Sequence, residues 1–227
     1  MDEPGSRRSK VRNAEGARDA ILDAAEQVFA EHGFDGARID AIAAAAGYNK
    51  SLIFQYFDDK LGLYGEVIRR ADEQTRSMQD QALEALHEDA ALDPHQLREL
   101  LSGYVGWYFD YLVEHPRIAR IYLWEMAEGW QTFAKIMSQR DFDDVDQFMP
   151  VLERLQAIGL LRSDVDGILQ LPTALFAAIV YLAILPLYQM LIPSVDYSSP
   201  AAMQRGRKFV IEFVTRGLLV DPTEAKP

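Results

Sequence analysis

The sequence predicts an all-α protein of about nine helices, and three observations carry that expectation. Apolar residues recur at helical spacing through nearly all of the 227 residues. No alternating apolar–polar run is long enough to compete as a strand. Capping residues, prolines and glycines punctuate the chain at helix-length intervals. In the first helix Ile21, Leu22, Ala25, Val28 and Phe29 form one stripe, with Gly33 as a stop. Ile39, Ile42 and Ala43 mark a short second helix ended by Gly47. Asn49 can cap a third helix running to about Phe57, and Asp59 a fourth that starts at Lys60. Asp93-Pro94 and Ser199-Pro200 each pair a capping side chain with a proline where its missing N–H costs nothing. Pro116 follows a helix over roughly 95–114, and Gly159 closes another near 141–158. The expected organisation is a flexible basic-leaning arm at 1–14, a small helical domain at 15–75 and a larger one at 76–227.

Composition narrows the function. With 49% hydrophobic residues the chain can bury a sizeable core. Cysteine is absent, which excludes disulfides and thiolate metal sites and fits a cytoplasmic setting. The N-terminal segment has no apolar signal-peptide core. The net charge of −12 argues against a protein that coats nucleic acid indiscriminately. Residues 1–60 carry 8 Lys/Arg against 11 Asp/Glu, so any DNA affinity needs locally arranged cations. The candidates are Arg7, Arg8, Lys10, Arg12, Lys50 and Lys60.

Residues 38–57, RIDAIAAAAGYNKSLIFQYF, read as a short helix, a glycine turn and a second short helix. Two helices crossing steeply need a turn residue that tolerates positive φ, and Gly47 is placed to supply it. The small residues Ala43 to Ala46 allow close packing. In a helix-turn-helix the N-terminal residues of the second helix meet base edges in the major groove. Asn49, Lys50 and Ser51 stand at that end, and all can hydrogen-bond.

From about residue 17 to 70 the chain resembles the DNA-binding domain of the TetR family. The resemblance rests on Ile21-Leu22-Asp23-Ala24-Ala25, Gly33-Phe34, Ile42-Ala43, Ala46-Gly47, Lys50, Tyr56-Phe57 and Lys60 at family spacing. It implies a sequence-specific regulator, a ligand-responsive repressor that acts as a homodimer on a pseudo-palindromic double-stranded DNA operator. The resemblance assigns Lys50, Ser51, Leu52 and Phe54 to groove-facing positions and Tyr56 and Lys60 to phosphates, with Ile53 and Phe57 facing the core. Asn49 and Gln55 of the same segment, and Arg38, which could reach a phosphate, complete the expected DNA-binding residues. Arg38 stands where the family usually has a capping threonine, Asp40 where it is often basic, and Phe54 where tyrosine is frequent.

Residues 167–195 contain no charged side chain, enough length for a membrane span. Pro172 and Pro186 interrupt them, and Asp164, Asp166 and Asp196 flank them where a span carries Lys or Arg. The expectation is a helix packed in its own domain and, with a helix at about 200–218, across a two-fold dimer contact, with no membrane partner. Rings with polar tips crowd residues 97–137. Tyr104, Trp107, Tyr108, Tyr111, Tyr122, Trp124, Trp130 and Phe133, with Glu125 among them, suit a pocket for a small lipophilic or aromatic ligand. Helical spacing explains much of the same pattern as core. Enzyme signatures are missing: Glu84-x-x-His87 has no second such pair, and there is no HExxH, Gly-rich phosphate loop or GxSxG turn. The expectation is a non-enzyme without cofactor or metal. The competing reading is a helical small-molecule-binding or catalytic bundle that never touches DNA.

Overall fold

A computed structural model describes residues 4–87, 93–138, 143–164 and 166–220, leaving aside the side chains of 4–13, 87, 143–148, 168 and 171. Ten helices occur among the described residues: α1 (Pro4–Gly36), α2 (Ile39–Ala46), α3 (Lys50–Phe57), α4 (Lys60–His87), α5 (Pro94–Glu114), α6 (Pro116–Ala127), α7 (Gln131–Met137), α8 (Asp143–Ala157), α9 (Gly167–Leu191) and α10 (Pro200–Leu218). The all-α expectation holds, with one helix more than anticipated. Over the expected arm the backbone is helical from Pro4 and continuous with α1; proline suits a first turn, and the Arg, Lys and Ala residues that follow favour helix. The side chains of Arg7, Arg8, Lys10, Arg12 and His87 lie outside the described residues.

The chain forms two compact units, Met1–Thr75 with Arg120–Asp141, and Arg76–Ala119 with Phe142–Pro227. In the first unit the predicted stripe of α1 is buried as expected, from Ile21 to Phe29. It meets Ile42 and Ala43 of α2, Ile53 and Phe57 of α3, and Leu63, Tyr64, Val67 and Ile68 of α4, all buried. The rings of Phe29, Phe34 and Tyr64 pack together, the closest two with centroids 4.7 Å apart at a steep angle. α1 breaks at Gly33, whose φ of 67° is open to glycine at little cost. Around this core Arg70 reaches Asp23 and Glu26 at 2.6 Å, and Arg18 pairs with Glu66.

The last part of α6 and α7 belong to this first unit, whereas the sequence assigns everything after residue 75 to the C-terminal domain. The physical reason is Glu125, 1% exposed. Its Oε1 accepts from the Tyr64 hydroxyl at 2.8 Å and its Oε2 from the Phe133 backbone N–H at 3.0 Å. Burial and the neighbouring carboxylate push the Tyr64 hydroxyl's pKa up, so it stays a donor. Trp124 adds an indole N–H to the Ala30 carbonyl at 3.2 Å. Gly129 and Trp130, both at positive φ, turn the chain from α6 into α7.

In the second unit α5 starts with the expected cap: Asp93 accepts from the backbone of His95 and Gln96, and Gln96 returns a bond to the Asp93 N–H. Leu97, Val105, Phe109 and Leu112 of α5 are buried, as are Ala178 and Ile179 of α9 and Val210, Val214 and Leu218 of α10. Gly106 lies under Arg207, which pairs with Asp110 at 2.9 Å. At Gly206 a Cβ would come within 2.4 Å of the Tyr181 ring, so α9 and α10 approach closely there. Glu125→Ala is expected to cost about 2–4 kcal/mol, since it strands the buried Tyr64 hydroxyl and the half-buried Phe133 amide, with Glu125→Gln costing less. Urea unfolding of both variants checks this, and equal loss in the two would remove the carboxylate's charge from the explanation.

Candidate nucleic-acid interface

Arg38 opens α2 in an extended conformation and makes no capping bond, as its side chain lacks an acceptor. Asp40 in the first turn complements the helix dipole instead. Of the run of alanines only Ala43 is buried, beside Ile42. Gly47 then closes the helix at φ 74°, and Tyr48 donates its N–H back to the Ala43 carbonyl at 3.1 Å. Asn49 caps α3 as expected: its Oδ1 accepts from the Leu52 N–H at 2.9 Å. That leaves its amide NH₂ to face a partner.

The periodicity of α3 separates two faces. Ile53 and Phe57, one turn apart, are buried in the core of the first unit. Lys50, Ser51, Phe54 and Gln55 are exposed, Phe54 by 43%, while Leu52 and Tyr56 are half-buried. The helix ends abruptly. Asp58 takes φ 61° and ψ −58°, and the Asp59 N–H reaches the Phe57 carbonyl at 2.7 Å, a γ-turn of the rare positive-φ form. Asp59 Oδ1 in turn accepts from the Gly62 N–H at 2.7 Å, the predicted cap of α4. A Cβ at Gly62 would stand 2.2 Å from the Phe57 carbonyl oxygen, so only glycine fits behind this turn.

Lys50 and Lys60 are not bare. Lys50 Nζ lies 2.5 Å from Asp40 Oδ1. Lys60 Nζ donates to the Asp35 carbonyl at 3.3 Å and sits 4.7 Å from the Phe34 ring centroid. Partial burial draws its pKa down against the pull of Asp35 and Glu128. Two surface residues escaped the sequence reading. One is Asp40 as the partner of Lys50, signalled only by an acid at an often basic position. The other is Tyr48, exposed at the turn, signalled by an aromatic directly after Gly47.

The candidate ligand residues divide between the two units. Tyr104, Trp107, Tyr108 and Tyr111 belong to the second unit, and Tyr122, Trp124, Glu125, Trp130 and Phe133 to the first. On α5, Trp107 stacks on Tyr111 at 5.7 Å and lies 6.0 Å from Tyr104. Glu125 is buried, and its two oxygens accept from the Tyr64 hydroxyl and the Phe133 backbone N–H.

Residues 21–67 match the family described as bacterial regulatory proteins, tetR family, and residues 98–214 match the tetracyclin repressor-like C-terminal domain. The transcriptional repressor NicS of Pseudomonas putida is 35% identical over 159 residues, covering 69% of this chain and 71% of that protein. The transcriptional repressor BepR of Brucella suis is 32% identical over 159 residues, 70% of this chain and 65% of its own length. A crystal structure of a transcriptional regulator from Streptomyces coelicolor is 28% identical with a TM-score of 0.55, covering 89% of this chain and 98% of that one. With both halves matched, and α3 presenting a polar face at the end of a glycine turn, the chain belongs to the TetR family of DNA-binding transcriptional regulators.

Proposed function

We propose that this chain is a ligand-responsive repressor that acts as a homodimer and reads a pseudo-palindromic operator with α3. The observation that carries the reading is the two-faced recognition helix: Ile53 and Phe57 anchor it, while Asn49, Lys50, Ser51, Phe54 and Gln55 stand outward. Leu52 and Tyr56 flank that face, and Arg38 and Lys60 supply cations at its edges. Two helices related by a two-fold axis then meet half-sites one helical turn or a multiple apart.

The dimer contact uses α9 and α10. Val180, Ile184, Leu187 and Leu191 recur on one exposed face of α9, with Val180 50% exposed, and Phe209 and Phe213 stand out from α10. Pro172–Leu191 is long and apolar enough to cross a bilayer. We assign the surface to a second copy, because acids flank the helix and the neighbouring α10, whose Phe209 and Phe213 extend the apolar surface, carries the four basic residues Arg205, Arg207, Lys208 and Arg216. Ala178, 1% exposed, packs inside the protomer rather than in this contact. The ligand wall we assign to Tyr104, Trp107, Tyr108 and Tyr111. Burial raises the Tyr104 hydroxyl's pKa, countered by its bond to Gln79, so it stays a neutral donor beside a lipophilic or aromatic guest.

Lys50→Ala and Tyr56→Ala are expected to weaken binding to DNA from beside the gene by roughly ten-fold each without changing stability, a loss of the size of one base or phosphate contact. Gel shifts over a salt series read this, and full affinity in both variants removes α3 from the interface. Val180→Asp is expected to give folded monomers by light scattering, whereas Ala178→Asp unfolds the protomer. A dimer that survives Val180→Asp and Phe213→Asp together rules the contact out. A lipophilic aromatic compound that releases the operator should change the fluorescence of Trp107, and the change should vanish in Trp107→Phe. A compound that releases DNA with that signal untouched places the guest elsewhere.

A further inference from the structure

The recognition surface holds an ion pair that the fold does not need. Asp40 on α2 and Lys50 on α3 lie 2.5 Å apart, with side chains 72% and 49% exposed. A pair so open to water adds little to stability. Its setting gives it another consequence. Lys50 is at the first turn of the helix that faces DNA, where a loose ammonium would serve any phosphate on any sequence. The next cation along, Lys60, is likewise held by the Asp35 carbonyl and the Phe34 ring. Residues 1–60 are acid-rich as a whole, so the generic attraction is already low.

We infer that Asp40 is a specificity determinant: it holds the Lys50 ammonium off the phosphate backbone and lets it act only where a groove edge offers a better acceptor. The inference rests on the reading that α3 enters the major groove. A guanine edge presents two acceptors, O6 and N7, to a lysine. A phosphate oxygen must compete with a carboxylate already at contact distance while that carboxylate repels it. Non-specific complexes therefore lose most of the benefit of Lys50, and the selected sequence keeps it.

A purely structural role for Asp40 predicts the opposite sign. As the first-turn acid of a helix whose Arg38 makes no cap, it would steady α2, and its loss would weaken binding to every duplex. The test uses the full chain and two probes: a duplex selected by the wild-type protein from a random pool, and a mixed-sequence duplex that was not selected. Asp40→Asn and Asp40→Ser should each bind the unselected duplex about three- to eight-fold more tightly at 0.1 M salt, with the salt slope steeper by about one. Affinity for the selected duplex should change by less than about two-fold, so the discrimination ratio falls by the difference. The gain should be lost when Lys50→Ala is added to either variant. Unchanged or weaker binding to the unselected duplex overturns the inference, and so does a gain that persists without Lys50. If the wild-type protein selects no duplex at all, the DNA reading of α3 fails first, and this inference with it.

Discussion

A buried carboxylate needs donors, and that requirement organises the first unit. Glu125 sits among apolar side chains with both oxygens engaged, one by Tyr64 from α4 and one by the backbone at the start of α7. An unpaired charge at that depth would cost several kcal/mol. Residues 120–138 are thereby held to the unit that carries the helix-turn-helix, although they lie far along the chain. The same tyrosine closes the ring cluster with Phe29 and Phe34, so one side chain serves the apolar core and the polar bond together. Gly33 lies under Trp124, and a Cβ there would stand 3.0 Å from the indole. The break in α1 at Gly33 and the end of α6 are thus matched in shape as well as in hydrogen bonding.

Electrostatics at the recognition helix follow a different logic from a generic polyanion binder. Lys50 and Lys60, the lysines that open α3 and α4, are each held by an acceptor or ring of the protein itself. Binding must exchange those partners for DNA, so the net gain per contact is small and depends on how well the new acceptor is placed. This is consistent with a chain of net charge −12 belonging to a family of DNA-binding regulators.

What could be read from the sequence was whatever depends on near neighbours. Asn49, Asp59, Asp93 and Ser199 cap where they were expected to, because a cap is decided within three or four residues. The buried stripe of α1 and the inward turn of Ile53 and Phe57 follow from the 3.6 period. Residues whose partners are distant were not legible. Tyr64 and Glu125 are 61 positions apart, and nothing local marks the two as hydrogen-bond partners. On α9 the period itself was silent: a helix apolar on all sides cannot say that Ala178 faces inward and Val180 outward. Asp40 stood out as an acid at an often basic position, but its attachment to Lys50 needed the angle between α2 and α3.

The γ-turn at Asp58 bears on how such a reader can change over generations. The carbonyl of Phe57 is enclosed between the Asp59 amide and the backbone of Gly62, with no room for a side chain. Inserting or deleting a residue between positions 57 and 62 would break both contacts at once, so the length of α3 is shielded from drift. New operator preferences must then arise by substitution on the outward positions of a helix of constant length. Variation in this segment is channelled into the side-chain chemistry of the outward positions, so the alphabet of the reader diverges on a frame of constant length.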